Sequence, residues 1–186
     1  MVDTSGGHEA ISDGDPNLYL MDWPADSSVA VFDYWFGSDG LQYNKEQFKY
    51  WCMDNEPSIW NGTHDDIAPD NESAEDYIQK YFSVAKAARA KFPGIKLIGP
   101  ISANEWQWYN WHNQRVNYKG KSYSFLEYFI LRIAEEQDVS GIRLLDVFSI
   151  HFYPTNQNVD EVVQFHRIFF DQNYDYPDAN GIKTIN

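Results

Sequence analysis

Residues 48–57 read FKYWCMDNEP, an aromatic and apolar run that stops abruptly at polar residues. A short run of this kind, bounded by turn-forming residues, is typical of a buried β-strand. We predict that Cys52 lies inside this strand as a small core residue and not as a nucleophile. The strand is predicted to end at Asp54, and Pro57 then turns the chain away from it.

Two further runs of this type predict a parallel sheet. They cover residues 95–98 and 144–150, and segments with the helical spacing of apolar residues lie between the runs. The alternation of strand and helix, with connections long enough for right-handed crossovers, is typical of an α/β fold. Near-continuous apolar strands are expected to be buried on both faces. Doubly wound sheets and barrels share this rhythm, so the strands alone do not separate the two architectures.

Four helices are predicted from apolar residues three or four positions apart. The first covers residues 28–36, and the last begins at Asp160. The second and third begin at Ser73 and Ser124, each followed three residues later by an acidic residue that completes a cap. The side chains predicted to line the core are Val29, Phe32, Trp35 and Phe36 in the first helix, Ile78, Tyr81, Phe82, Ala85, Ala88 and Phe92 in the second, Leu126, Phe129, Ile130 and Ile133 in the third, and Val162, Val163, Phe165 and Phe169 in the last.

Composition narrows the class of partner. The 186 residues include 28 acidic and 14 basic side chains, which gives a formal net charge of −14. A field of this sign repels phosphate groups, so nucleic acid and anionic membranes are expected to be poor partners. Aromatic residues make up 17% of the chain, and their flat apolar faces suit sugar rings. The chain has no apolar run of transmembrane length and no signal-peptide pattern, and its single cysteine excludes an intrachain disulfide.

Polar residues follow two of the predicted strands at the point where each strand ends. Asn55 and Glu56 follow the first strand, whereas His151 and Tyr153 follow the third. Because parallel strands end at one edge of the sheet, we expect these side chains to lie close together. An Asn-Glu pair suits glycoside hydrolysis, since the carboxyl group can protonate the leaving oxygen while the amide bonds the sugar 2-hydroxyl. The alternative is that Glu56 is a solvated loop carboxylate and Asn55 forms a turn.

Aromatic residues near these strand ends are candidates for sugar stacking. Trp106, Trp108 and Trp111 crowd the segment after the second strand, and we favour Trp106 because it lies nearest the strand end. The alternative is that these rings pack the loop onto its own helix. Trp60, which follows Glu56 by four residues, could line a cleft or pack within its own loop.

A short acidic loop could suggest a metal site with oxygen ligands. It contains His64, Asp65 and Asp66. Because no further ligand of known spacing accompanies them, a solvated acidic loop is the favoured interpretation. We therefore assign no metal ligands, and the sequence implies no cofactor.

Three segments resemble glycoside hydrolase family 44. They are YWCMDNEPSIWNGTHDDI (50–67), KLIGPISANEWQW (96–108) and LLDVFSIHFYP (144–154), and the likeness extends over roughly residues 18–180. The resemblance implies an α/β fold of the (β/α)₈ TIM-barrel type, of which this chain would supply roughly strands 4 to 6 with their helices. Because a complete barrel typically needs about 250 residues, residues 1–186 are expected to be a fragment of one catalytic domain. Residues 1–17 are expected to form a flexible or loop segment.

For the site, the resemblance implies that Glu56 is the general acid/base and Asn55 its partner for the sugar 2-hydroxyl. Together with Trp106, the side chains expected to bind substrate are Trp60, His151 and Tyr153. In the family the nucleophile follows strand 7, which lies beyond this chain. The chain alone is therefore expected to be inactive.

The resemblance also implies retaining hydrolysis of internal β-1,4 linkages in glucans, such as cellulose derivatives and xyloglucan, by an extracellular enzyme. Xylan and mannan remain open as substrates, because the choice of backbone depends on subsites spread over all the loops. An inactive glycan-binding or truncated remnant also remains open. The outer strands of a partial barrel would have unpaired edges, so self-association is expected.

Overall fold

Three parallel strands lie at the centre of the fold in the computed structural model, which describes residues 14–65, 67–68, 71–153 and 158–175. In chain order the helices and strands are α1 (Ala25–Phe36), β1 (Tyr50–Cys52), α2 (Trp60–Thr63), α3 (Ala74–Lys91), β2 (Lys96–Pro100), α4 (Trp106–Tyr109), β3 (Val116–Tyr118), β4 (Lys121–Tyr123), α5 (Phe125–Ser140), β5 (Val147–Ser149) and α6 (Val159–Val162). Turns of 3₁₀ helix cover Pro16–Leu18, Lys45–Gln47, Pro57–Ile59 and Phe165–Phe169. β2 pairs in parallel with β1 on one side and β5 on the other, which confirms the predicted parallel sheet.

The two long helices begin where the sequence predicts. The Ser73 hydroxyl accepts the N–H of Asp76 at 3.1 Å, and α3 follows. The Ser124 hydroxyl accepts the N–H of Glu127 at 3.3 Å, while the Glu127 carboxylate accepts the N–H of Ser124 at 2.8 Å. This reciprocal pair is a capping box, so two otherwise unpaired donors at the start of α5 are satisfied.

One hydrophobic core joins the helices to the sheet. Buried residues of α1, α3 and α5 form a single cluster with Leu97 of β2, and Trp51 of β1 packs against it. The predicted stripe of α3 is confirmed in its buried residues Ile78, Tyr81, Phe82, Ala85 and Ala88. Gly99 allows α3 to approach β2 closely, because a Cβ at this position would lie 2.7 Å from the Tyr81 ring. The Tyr81 hydroxyl then donates to the carbonyl of Leu144 at 3.0 Å.

The opposite face of the sheet is uncovered at β1 in the described part of the chain. Side chains alternate along a strand, so Tyr50 and Cys52 point away from the face that Trp51 presents to the core. Tyr50 is 62% exposed, and Cys52 is also exposed. The prediction of Cys52 as a core residue, in a strand buried on both faces, is therefore wrong.

The predicted last helix is short. α6 forms one turn, and hydrogen bonding then tightens to the 3₁₀ type, with the N–H of Gln164 donating to the carbonyl of Glu161. Val163 and Phe169 are 57% and 56% exposed, whereas Phe165 is buried. The prediction of both as core residues is therefore wrong.

Two other predictions on this side of the molecule are corrected. Ile130 of α5 is 49% exposed, so its prediction as a core residue is wrong. The third strand is shorter than the predicted run 144–150, although Leu144 itself is buried.

A small hairpin that was not predicted connects α4 to α5. β3 and β4 pair antiparallel, and Lys119 and Gly120 form the turn between them with φ values of 48° and 76°. Two consecutive residues with positive φ are typical of the two-residue turns that match the twist of a hairpin. The sequence signal is weak, because each strand has only three residues and Gly120 alone marks the turn.

The predicted loop at residues 1–17 lies mostly outside the described residues. Its described end enters the 3₁₀ turn Pro16–Leu18. No helix in the described part of the chain is long and apolar enough to cross a membrane.

Candidate active site

Backbone hydrogen bonds continue across the carboxyl edge of the sheet beyond the strands themselves. The N–H of Glu56 donates to the carbonyl of Ile101 at 2.9 Å, and the N–H of Ile101 donates to the carbonyl of Ser149, also at 2.9 Å. The N–H of His151 donates to the carbonyl of Ser102 at 3.2 Å. The loops that follow β1, β2 and β5 are therefore held side by side.

Glu56 occupies a backbone conformation that few non-glycine residues adopt. Its φ of 52° and ψ of 51° place it in the left-handed region, directly before the 3₁₀ turn that begins at Pro57. Such a conformation costs about 1–3 kcal/mol and persists where the surroundings fix it. The bond to Ile101 provides one restraint, and the Trp60 indole N–H provides another by donating to the carbonyl of Asn55 at 3.0 Å.

The side chains of Glu56 and His151 form a pair. His151 Nδ1 lies 2.8 Å from Glu56 Oε1, and the side chains of His151 and Glu56 are 27% and 24% exposed. The carboxyl group is thus partly screened from water but still reachable. The ring of Tyr153 lies edge-on to the His151 ring at a centroid distance of 5.6 Å and is itself exposed.

Two side chains that the sequence analysis did not select hold the segment that carries His151. The carboxylate of Glu105 accepts the backbone N–H of Tyr153. The Trp108 indole N–H donates to the carbonyl of His151 at 3.1 Å. Glu105 is fully buried. The sequence does contain a pattern that could have identified Glu105, because Asn104-Glu105 after β2 repeats the Asn-Glu pair that follows β1.

Asp54 is another carboxyl group at this edge that the sequence analysis did not select. Desolvation in the turn raises the pKa of Asp54, although the N–H of Asn55 donates to its carboxylate at 2.7 Å. Asp54 lines a cavity of about 470 Å³ together with Trp23, Trp60 and Tyr77. Asn55 is exposed beside it.

The tryptophans after β2 lie in different environments. Trp111 is buried, stacks on Tyr77 at 5.3 Å and donates to the carbonyl of Glu72, so it belongs to the core. Trp108 is half-buried. Trp106 is 49% exposed, and its indole N–H donates to the Asn113 side chain at 3.1 Å. Of the three tryptophans after β2, Trp106 therefore has the largest surface available to a ligand.

Trp60 combines the two alternatives that the sequence left open. Its ring packs edge-on against Tyr77 at 6.0 Å, yet it also lines the cavity beside Asp54. A ring anchored on one side and open on the other can form part of a cleft wall.

Within residues 14–65, 67–68, 71–153 and 158–175, no three His, Cys, Asp or Glu side chains lie close enough together to hold a metal ion. Asp66, part of the acidic loop considered above, lies outside the described residues.

The chain is similar to several β-glycan hydrolases over part of their length. A beta-mannanase/endoglucanase A of Caldicellulosiruptor saccharolyticus is 27% identical over 124 residues, which is 66% of this chain and 9% of that protein. Endoglucanase A of Paenibacillus lautus is 27% identical over 123 residues, or 63% of this chain and 17% of that protein. The structure of a family 44 xyloglucanase of Paenibacillus polymyxa with xyloglucan superposes with a TM-score of 0.64 at 24% identity, covering 85% of this chain and 33% of that one.

The family model reaches across the whole candidate site. Because this chain is only 24% identical to the xyloglucanase, the likeness between the two shows a shared fold and no more. The model of glycoside hydrolase family 44 matches residues 25–156, more than half of the chain, and this range contains β1, β2 and β5 with Glu56 and His151. This chain therefore belongs to glycoside hydrolase family 44.

Proposed function

We propose that this chain carries the acid/base half of a retaining glycoside hydrolase that cleaves internal β-1,4 linkages of glucans, either cellulose-type chains or xyloglucan. The observation that carries the proposal is the pairing of Glu56 with His151 across the ends of β1 and β5. Family membership and relatives named endoglucanases support it. A carboxyl group that is partly screened, oriented by a neighbour and still reachable is what general acid/base catalysis requires.

Glu56 would act twice in the reaction. In the first step its protonated carboxyl gives the proton to the glycosidic oxygen as the bond to the sugar breaks. In the second step the carboxylate takes a proton from the water that releases the sugar from the nucleophile. His151 holds Oε1, which leaves Oε2 for the transferred proton. Asn55, exposed beside Glu56, would bond the 2-hydroxyl of the sugar.

The sheet is proposed to be strands 4 to 6 of a (β/α)₈ barrel. One-sided packing supports this architecture: α1, α3 and α5 share one core against the sheet, whereas a doubly wound sheet carries helices on both faces. The candidate edge, where Glu56 and His151 lie, is the carboxyl end of the strands, at which barrel enzymes place their chemistry.

The nucleophile is proposed to come from strand 7 of the family's barrel and not from this chain. Retaining hydrolysis places it about 5–5.5 Å from the acid/base carboxyl. Glu105, another carboxyl group at this edge, is fully buried and cannot meet a sugar carbon. General acid catalysis by Glu56 alone contributes about 10²–10⁴-fold, far less than hydrolysis of a glycosidic bond needs. This chain on its own is therefore proposed to be inactive.

A chimera tests the proposed activity. Residues 25–156 replace the matching segment of the Paenibacillus polymyxa xyloglucanase, and circular dichroism establishes that the chimera is folded before it is assayed. Internal cleavage should lower the viscosity of a soluble β-glucan faster than reducing ends accumulate. Retention should give the β-anomer as the first product seen by NMR. Release of sugar from chain ends only, or an α-anomer as first product, would contradict the proposal.

A mannan or xylan backbone is the second candidate substrate. The name of one relative includes beta-mannanase as well as endoglucanase, which favours a broader choice of backbone. The chimera and the unaltered xyloglucanase should be compared on carboxymethylcellulose, xyloglucan, xylan and mannan. Because the two proteins differ only in residues 25–156, a rise in the mannan or xylan rate relative to the glucan rates would assign that preference to this chain.

The proposed partner is a neutral polysaccharide outside the cell. A net charge of −14 disfavours nucleic acid and anionic membranes. A long β-glucan does not cross membranes, so its hydrolase must meet it outside the cell. The uncovered face at Tyr50 and Cys52 supports the proposed self-association of the chain alone. Light scattering that shows a monodisperse monomer would contradict self-association.

A further inference from the structure

We infer that Glu105 and Trp108 form a clamp that holds residues 151–153 and thereby positions His151 against Glu56. Both residues belong to the segment after β2, which lies between the two strands that carry the proposed acid/base pair. Glu105 is accordingly a positioning residue and not a catalytic one. The inference rests on the proposed function for its catalytic meaning, but not for its test.

Glu105 supplies the stronger part of the clamp. A carboxylate in the interior is costly unless its oxygens are hydrogen-bonded, and Glu105 is fully buried. Its carboxylate accepts the backbone N–H of Tyr153. The acceptor end of this bond is shielded from competing water, and a hydrogen bond is stronger in such surroundings than in water. The bond therefore fixes the backbone of Tyr153 more firmly than an exposed contact would.

Trp108 holds the same segment two residues earlier. Its indole N–H donates to the carbonyl of His151 at 3.1 Å, and its ring contacts Phe152 and Phe169 at centroid distances of 5.9 and 6.5 Å. The N–H of His151 is bound as well, to the carbonyl of Ser102 at 3.2 Å. The backbone of residue 151 is thus held at both of its polar groups.

The clamp matters because the sheet brings the loops of His151 and Glu56 together but does not by itself fix the position of the His151 ring. The two residues are 95 positions apart in the sequence, and Nδ1 reaches Oε1 at 2.8 Å. With the backbone fixed, the side-chain torsions of His151 alone determine where Nδ1 lies. A displacement of about 1 Å would break the bond, and a misplacement of that size can cost about 100-fold in rate.

NMR of the 186-residue chain tests the clamp without any turnover. The chain is labelled with ¹⁵N-histidine, and the Nδ1 signal of His151 is assigned by its absence from His151→Gln. The signal is then compared in the unaltered chain, in Glu105→Leu and Glu105→Gln, and in Glu56→Gln, which marks a broken pair. Glu127→Gln is the matched control, because it alters another hydrogen-bonded carboxylate, in the cap of α5.

We expect Glu105→Leu to move the His151 signal most of the way to its position in Glu56→Gln. Glu105→Gln should reverse most of that shift, because its carbonyl can still accept the N–H of Tyr153. Glu127→Gln should lower the melting temperature and leave the signal in place. A Glu105→Leu protein that loses thermal stability while the His151 signal stays unmoved would overturn the inference.

A second variant decides the matter where Glu105→Leu does not fold. Trp108→Phe keeps an aromatic ring and removes the indole donor to His151, so it should shift the signal in the same direction; an unmoved signal overturns the clamp. The proposed function has a different test: it would be contradicted if the folded chimera did not hydrolyse β-glucan. That result would not change the outcome of the NMR experiment.

Discussion

The dipeptide Asn-Glu follows both β1 and β2, and the fold places its two carboxyl groups in different surroundings. Glu56 is 24% exposed in its side chain and meets His151. Glu105 is fully buried and meets the backbone N–H of Tyr153. A carboxyl group that a ligand can reach is able to exchange a proton with it, whereas a buried one can only hold its neighbours. Exposure, and not residue type, separates the two proposed roles.

The difference begins in the backbone. After β1 the left-handed residue is Glu56 itself, with a φ of 52°. After β2 the left-handed residue is Ile101, also with a φ of 52°, and Glu105 follows later, in a helical conformation with a φ of −62° at the start of α4. The chain therefore turns at the carboxyl group in one loop and before it in the other.

The largest expected effect is on the rate of turnover. If Glu56→Gln and Glu105→Gln lowered this rate equally, the contrast between the two carboxyl groups would be lost. Glu56→Gln in the chimera should lower the rate on polysaccharide about 10²–10⁴-fold, because the leaving oxygen is no longer protonated. The loss should be far smaller on aryl glycosides whose leaving group needs no proton. Glu105→Gln, the matched carboxamide, should lose much less on polysaccharide. Equal losses of Glu56→Gln on both classes of substrate would remove Glu56 from the acid/base role.

The second prediction extends the comparison to two tryptophans of one segment. Trp111→Ala should lower the free energy of unfolding by about 3–5 kcal/mol, since it empties a core position. Trp106→Ala should leave stability nearly unchanged and weaken glucan binding by about 1–3 kcal/mol, typical of a lost aromatic contact in a binding site. Thermal unfolding and calorimetric titration of the chimera measure both. Loss of stability without loss of affinity in Trp106→Ala would assign that ring to packing.

The third prediction sharpens the contrast in burial. Glu105→Leu should lower the free energy of unfolding by about 1–3 kcal/mol, because it removes the acceptor of the part-buried hydrogen bond that the N–H of Tyr153 donates. Glu56→Leu should cost less, because His151 is partly exposed and can bond water instead. Urea denaturation of the two variants gives the difference. A larger loss for Glu56→Leu would reverse the assignment of the structural carboxyl group.

The parts of the fold that follow from local chemistry were predicted well. The caps at Ser73 and Ser124 depend on residues three positions apart, so the starts of α3 and α5 could be read from the sequence. The burial of Cys52 and Phe169 depends on what covers a face from elsewhere in the chain, and both predictions are wrong. A run of apolar residues does not show which of its faces has a partner.

Some features of the candidate site could also be predicted from the sequence, and others could not. The approach of His151 to Glu56 follows from strand ends that share one edge, so a parallel sheet is enough to predict it. The left-handed turn at Glu56 and the burial of Glu105 depend on backbone geometry and on packing around α4, for which a single sequence carries no clear pattern. The catalytic and binding roles of these side chains stay predictions.

The smallest expected effect is on stability, and it depends only on the backbone conformation at Glu56 and at Glu105. Replacing Glu56 by Gly or by Ala removes the same carboxyl group, but only Ala keeps a Cβ in the left-handed region. Glu56→Gly should therefore be more stable than Glu56→Ala by about 1 kcal/mol. At Glu105, where φ is helical, the order should reverse by about 0.5–1 kcal/mol, since glycine has the greater conformational entropy to lose. Chemical denaturation of the four variants gives both differences. A Glu56→Ala variant at least as stable as Glu56→Gly would show that the turn at Glu56 is not held against a backbone preference, and the exposure of its carboxyl group would then need another cause.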